Sequence, residues 1–244
     1  MKVVILCGGE GRRISAHGDD TPKVLFEIGG RPILWHIMKI FGVQGFDDFV
    51  LCLGHGASAV RSYFAPDAHP VDVVRCEDKT EGWKIALVDT GEHTNTGGRI
   101  CRVAGEVGGE RFIATYGDGV ADVDLRALVA FHEAHGKTAT ITAVRPWSQF
   151  GILQLGEDSV VRRFREKPRL RSWINGGFFV FEPSVFGYLG GDTVLEDGPF
   201  RALAEHGEMM AYRHDGFWAC MDTYKDLQTL NDLWTNGRAA WRTW

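Results

Sequence analysis

Two groups of residues in this chain combine types and spacings that can do chemistry. The first is Gly8-Gly9-Glu10-Gly11-Arg12-Arg13, followed by Thr21-Pro22-Lys23. Glycines let backbone N–H groups come close to an anion, and guanidinium groups grip phosphate oxygens in bidentate fashion. Lys23 is on the same connection and can reach the same anion. The plainer alternative is a tight turn with solvated arginines. Two familiar phosphate loops are excluded by spacing. No Lys-Ser or Lys-Thr follows the glycines, as a P-loop requires, and Ile14 stands where a dinucleotide fingerprint needs its third glycine.

The second group is acidic. Asp118 follows an apolar run and is flanked by Gly117 and Gly119, while Asp222 closes the stretch Phe217-Trp218-Ala219-Cys220-Met221-Asp222. A carboxylate pair together with phosphates is the usual setting for Mg²⁺, which keeps waters and takes few protein ligands. Asp122 and Asp124 lie near Asp118, but Asp124 reads as the N-cap of a helix starting at Leu125. Asp222 also precedes a helical pattern, so an N-cap is its competing role. Other motifs fail. His132-Glu133-Ala134-His135 lacks the spacing of a zincin site, and no Gly-x-Ser-x-Gly elbow occurs. Most of the nine histidines read as surface or packed residues.

Positioning such groups requires strands that end at the loops. Residues 3–7 (Val-Val-Ile-Leu-Cys) read as a strand buried on both faces, directly before the glycines. Pro32 sits where a helix can start, and Ile33, Ile37, Ile40 and Phe41 repeat at helical spacing. Residues 49–53, 71–74 and 112–115 read as further strands, and 57–64 and 97–107 as helices. The alternation predicts an α/β fold, a Rossmann-like, mostly parallel sheet covered on both faces. The second half is more mixed. A helix through Leu125, Leu128, Val129 and His132 ends at Gly136, and 138–144 is a β-branched strand. Residues 150–155 and 160–164 pair as a hairpin, 176–181 form a strand, and a last helix runs over 223–234.

The composition sets outer bounds. The 244 residues suit one large α/β domain or two small ones, with no repeats or linkers, and one unit over 1–244 is the economical reading. The 31 glycines are about one residue in eight, against a usual share of about 7%, so much backbone turns tightly or approaches something closely. A net charge of -5 offers no basic field for a nucleic-acid backbone. No apolar run approaches the roughly 20 residues of a membrane span, and the start lacks signal-peptide features. Five widely spaced cysteines without a Cys-x-x-Cys pair fit a reduced, cytoplasmic protein with no zinc cluster. Cys7 and Cys52 read as buried thiols.

Taken together, the blocks resemble the sugar-1-phosphate nucleotidylyltransferases, in particular their glucose-1-phosphate cytidylyltransferase branch. The resemblance rests on Gly8-Gly9-x-Gly11-x-Arg13, Pro22-Lys23 and residues 27–38, then Leu87-Val88-Asp89-Thr90-Gly91, Thr96-Gly97-Gly98-Arg99 and Tyr116-Gly117-Asp118-Gly119. It continues through Glu166-Lys167-Pro168, Asn175-Gly176-Gly177 and Met221-Asp222-Thr223, nearly end to end. It implies the nucleotide-diphospho-sugar transferase fold, with 1–115 mainly binding nucleotide and 116–244, with its smaller mixed region, mainly binding sugar phosphate. It implies transfer of a cytidylyl group from CTP to a sugar 1-phosphate, glucose 1-phosphate first, with release of pyrophosphate. UTP or dTTP as donor, another phosphate or phosphonate acceptor, or a non-catalytic nucleotide-binding regulator are the alternatives.

The resemblance also assigns roles. Asp118 and Asp222 would hold Mg²⁺, Arg13 the leaving phosphates, and Lys23 the charge developing at the α-phosphate. Gly9, Gly11 and Arg12 belong to the nucleotide loop. Leu6, Gly8, Gly98 and Arg99 would meet base and ribose. Lys167 would bind the sugar phosphate, and Glu166, Asn175 and Gly176, near Gly117, the sugar hydroxyls. An exposed ion pair is the plainer reading of Glu166-Lys167. Two unit charges about 4 Å apart at an effective dielectric of 20 repel by roughly 4 kcal/mol, so positioning and neutralisation dominate when one phosphate attacks another. The chain departs from the family at Arg12, where Thr is expected, at Val24-Leu25 after Pro22-Lys23, and in a shortened segment over 67–82. A homo-oligomer is the expected assembly.

Overall fold

The computed structural model describes residues 1–9, 21–68 and 72–244. In chain order the first half comprises β1 (Val3–Leu6), a short hairpin of β2 (Glu27–Ile28) and β3 (Arg31–Pro32), α1 (Ile33–Gly42), β4 (Asp48–Leu53), α2 (Ala57–Phe64), β5 (Val73–Asp78), β6 (Trp83–Asp89), α3 (Thr96–Arg102), α4 (Ala104–Val107) and β7 (Phe112–Tyr116). The second half adds β8 (Gly119–Ala121), α5 (Leu125–His135), β9 (Ala139–Val144), β10 (Ile152–Leu155), β11 (Val161–Arg165), β12 (Ile174–Asn175), β13 (Phe179–Phe181), α6 (Gly198–Glu205), β14 (Met209–His214), β15 (Trp218–Cys220) and α7 (Tyr224–Thr235).

Nine of these strands form one sheet, in which β7, β1, β4 and β6 run parallel at the centre. Antiparallel β5 closes one side, and antiparallel β13 joins β7 to β9 on the other. Strand β12 lies against the far end of β9, and β14 runs parallel along β9. Alternation along the central strands makes two cores. Val3, Ile5, Phe49 and Leu51 face α1, α2, α5 and α7, whereas Val4, Val50 and Cys52 face α3, α4 and α6. The strands are apolar on both sides because both sides are covered. Ends of the helices are set locally: the Asp124 carboxylate accepts from Ala127 N at 2.8 Å, and Thr223 and Asp226 form a capping box on α7.

This is the expected α/β architecture, with instructive differences. The helix expected over 97–107 is two, meeting at Val103. The strand expected over 71–74 runs instead from Val73 to Asp78, and the one expected over 176–181 begins only at Phe179. Gly177 (φ +74°) and Phe178 (φ +50°) kink the backbone there, separating β12 from β13. Phe178 holds its left-handed backbone because the ring is fully buried against Phe41, with centroids 5.7 Å apart, and its carbonyl accepts from Thr142 Oγ1 at 2.8 Å. Strands β6, β14 and β15 and helix α6 have no counterpart in the sequence reading. All five cysteines are free, Cys7 and Cys52 buried. Among the described residues, no helix is long and apolar enough to cross a membrane.

Candidate active site

A two-stranded ladder outside the main sheet assembles the acidic pair. Strand β15 runs antiparallel to β8, with Cys220 opposite Gly119, and Met221 N donates to Asp118 O at 2.9 Å. Asp118, just before β8, and Asp222, just after β15, therefore meet although they stand 104 positions apart in the chain. Both carboxylates accept from one ammonium: Lys23 Nζ lies 2.6 Å from Asp118 Oδ2 and 2.7 Å from Asp222 Oδ1. Burial by itself would lower the Lys23 pKa, but the Asp118 and Asp222 carboxylates outweigh it and raise it. The N-cap role for Asp222 is excluded, because Thr223 takes it.

Two hard oxygen donors already gathered around a positive charge suit a divalent cation, so this donor set fits the metal that the resemblance implies. Cys220 completes a cluster in which one donor atom each from Asp118, Cys220 and Asp222 lie within 4.8 Å of one another. Burial, then the two carboxylates, push the pKa of its thiol well up.

Lys23 and Asp118 face an open cleft of about 460 Å³ at the carboxyl ends of β1 and β7. Leu6, Gly8, Gly9, Arg99, Tyr116, Gly117 and the loop from Glu92 to Thr96 line it. Open parallel sheets bind ligands at this end. Arg99 organises the cleft from beneath. It is almost fully buried, and its terminal nitrogens donate to Leu53 O, Thr90 Oγ1, Gly91 O, Gly8 O and Glu92 O, at 2.8–3.1 Å. Three loops are thus tied to one guanidinium, which points into the chain and serves its own carbonyls. Burial lowers the Arg99 pKa from the ordinary arginine range. The glycine at position 8 is a consequence, since a Cβ there would stand 2.2 Å from Arg99 Cζ. Gly98 is buried under Asp192, its N–H donating to Thr193 O at 3.3 Å, and it does not line the cleft.

The residues expected on the sugar side divide. Asn175 Nδ2 donates to Tyr116 Oη at 2.9 Å and so abuts the cleft wall, whereas the Gly176 carbonyl accepts from Trp218 Nε1 at 2.8 Å, outside the cleft lining. Tyr116 donates to Glu196 in turn, and burial together with that carboxylate pushes its pKa well up. Glu166 and Lys167 form an exposed 3.7 Å ion pair at the foot of the β10–β11 hairpin and are absent from the cleft lining. Gly11, Arg12 and Arg13 lie outside the described residues. Sequence reasoning missed Cys220, Tyr116 and the wall from Glu92 to Asn95. Tyr116 and Cys220 stand within two residues of the aspartates that were singled out, which is the signal that could have found them.

Comparison with known proteins places the whole chain in one family. The chain matches the nucleotidyl transferase family over residues 2–239. It is 47% identical over 257 aligned residues to a glucose-1-phosphate cytidylyltransferase of Salmonella typhi, and 43% identical over 255 to a probable one of Bacillus subtilis, each pairing covering both chains in full. A putative glucose-1-phosphate thymidylyltransferase from Bacillus anthracis has the same fold, with a TM-score of 0.72 at 19% identity over 96% of this chain and 94% of that one. HddC from Yersinia pseudotuberculosis gives 0.70 at 21%, over 96% and 99%. With the family match over residues 2–239 and full-length similarity in sequence, the chain belongs to the nucleotidyl transferase family.

Proposed function

We propose that this enzyme transfers a cytidylyl group from CTP to glucose 1-phosphate, yielding CDP-glucose and pyrophosphate. An oxygen of the sugar phosphate attacks the α-phosphorus, a new P–O bond forms, and the bond to the β-phosphate oxygen breaks. The observation that carries the reading is the convergence of Asp118 and Asp222 on Lys23, with Lys23 and Asp118 lining the glycine-walled cleft. Full-length similarity to the cytidylyltransferases supports the choice of donor and acceptor.

Asp118 and Asp222 would hold Mg²⁺, which when bound supplies charge neutralisation between the reacting phosphates. Lys23 directs its ammonium at the α-phosphate, where charge builds up. Arg13, with Arg12 and Gly11, receives the leaving pyrophosphate. Leu6, Gly8 and Gly9 offer backbone groups to base and ribose, and Gly98 and Arg99 shape that wall. Gly117, Asn175 and Gly176 belong to the acceptor side, and Glu166 and Lys167, exposed on the hairpin outside the cleft lining, would have to turn inward to meet the sugar and its phosphate. Residues 1–115 thus carry mainly the nucleotide and 116–244 mainly the acceptor. A homo-oligomer belongs to the same proposal, supported by the exposed apolar side chains of Phe150, Leu153, Leu155, Val161 and Phe164 on the β10–β11 hairpin.

The test is pyrophosphate release from CTP and glucose 1-phosphate with Mg²⁺, run beside UTP, dTTP and other sugar phosphates. Asp118→Asn is expected to lose about 100-fold or more in turnover. A variant with full rate refutes the assignment of the pair, and tight CTP binding without turnover over any acceptor favours a regulator.

A further inference from the structure

Lys23 occupies the position a metal ion would need. Asp118 Oδ2 and Asp222 Oδ1 each lie within 2.7 Å of its Nζ, and its side chain is only 13% exposed. A divalent ion held by these same two oxygens would need the side of the pair that the ammonium fills, since Mg²⁺ draws its oxygen ligands in to about 2.0–2.1 Å. The two positive groups cannot share that space. Charge tells the same story: two carboxylates and one ammonium sum to −1, whereas two carboxylates and a divalent ion sum to zero and leave the ammonium free.

The backbone permits the exchange. Lys23 opens a single 3₁₀ turn, Lys23–Leu25, pinned by Leu25 N donating to Pro22 O at 2.8 Å. Its Cα is thereby held while four side-chain torsions stay available. The cleft that Lys23 lines also includes Gly8, Gly9 and Gly117. A swing of the side chain therefore delivers the ammonium toward the glycine loop without any movement of the main chain.

We infer that Lys23 is the resident counter-ion of the Asp118–Asp222 pair, and that a divalent ion and the Lys23 ammonium occupy that pair in turn. The inference rests on the proposed reading that the pair binds a divalent cation. Its consequence is a built-in order. Without metal the pair is held together by Lys23, and the phosphate-directed cation is withheld. When the pair is metal-loaded, Lys23 is released into the cleft, where a triphosphate offers it a new partner. Metal and nucleotide then favour one another through a single side chain.

Manganese alone, without nucleotide, is the probe, its free concentration read from the electron paramagnetic resonance of the aqueous ion. Lys23→Met and Lys23→Gln are expected to bind Mn²⁺ at least tenfold more tightly than the unmodified enzyme, because no ammonium has to leave. Asp118→Asn is expected to weaken binding. Should Asp118→Asn weaken it while both Lys23 variants bind no more tightly than the parent, the pair is a metal site but the counter-ion inference is overturned. Should Asp118→Asn leave Mn²⁺ binding unchanged, the reading of the pair itself fails. A second measurement needs no variant. Reductive methylation of Lys23, quantified by peptide mass spectrometry against Lys84 and Lys225, is expected to rise several-fold when Mg²⁺ saturates the protein, and an unchanged rate overturns the inference.

Discussion

Replacing Arg99 with Met removes a side chain that ties the Gly8 loop to the loop at Gly91 and Glu92, and the cost can be worked out acceptor by acceptor. Leu53 O keeps its bonds from Thr90 N and Thr90 Oγ1, so it loses little. The carbonyls of Gly91 and Glu92 lie near the surface, where water replaces the guanidinium. Thr90 Oγ1 and Gly8 O are buried and are left one partner short. Each such loss costs about 1–3 kcal/mol, and the variant no longer has to desolvate a guanidinium, which leaves a net destabilisation of about 2–4 kcal/mol. Urea unfolding followed by tryptophan fluorescence measures this directly. Since the Gly8 loop and the Glu92 loop come loose together, CTP affinity by calorimetry is expected to fall at least tenfold. Arg99→Lys keeps the charge but not the fork and should land between the two. A loss below about 1 kcal/mol with unaltered CTP affinity would show that the loops stand without the clamp.

Two further outcomes follow from groups away from the chemistry. His36 is buried among Trp35, Trp234, Trp241 and Trp244, with its Nε2 2.8 Å from Ile28 O, and burial lowers its pKa to about 4. The unfolded chain then holds more protons than the folded one. The stability this neutral ring contributes is complete above about pH 6.5 and declines toward pH 4, at no more than about 1.4 kcal/mol per pH unit. The urea midpoint should therefore drop between pH 7 and pH 5, and drop less in His36→Gln, while equal drops would assign the effect to other groups. Gly29 has φ +59°, and a Cβ there would fall 2.0 Å from Trp234 Nε1. Gly29→Ala should cost about 2–4 kcal/mol through strain and overpacking, and a melting temperature within a degree of the parent would contradict that.

The parallel core was legible because its signals are local. Residues 3–7 and 49–53 are apolar on both faces and could only be covered strands, and the α5 and α7 boundaries are written in Asp124, Gly136 and Thr223. Strand β14 was not legible. Met209–His214 mixes apolar, charged and half-exposed positions, and it is a strand only because β9 offers it an open edge. The break at Phe178 was hidden for the same reason, since Phe41 and Thr142 are what hold that backbone in its unusual conformation.

At the site, residue types pointed to the glycine loop, Lys23 and Asp118, carboxylate and cations next to flexible backbone, while Asp222 stayed open between metal ligand and N-cap until the resemblance assigned it. What they do to one another was settled by long-range geometry. Pairing between β8 and β15 brought the two aspartates face to face, and the 3₁₀ turn after Pro22 set Lys23 between them. Arg99 shows the same division: the resemblance implied a contact with base and ribose, while the tertiary structure surrounds its guanidinium with the chain's own carbonyls. Side-chain chemistry is a property of the residue, but the partner that satisfies it lies wherever folding places the nearest opposite charge or open lone pair, and sequence spacing does not encode that distance.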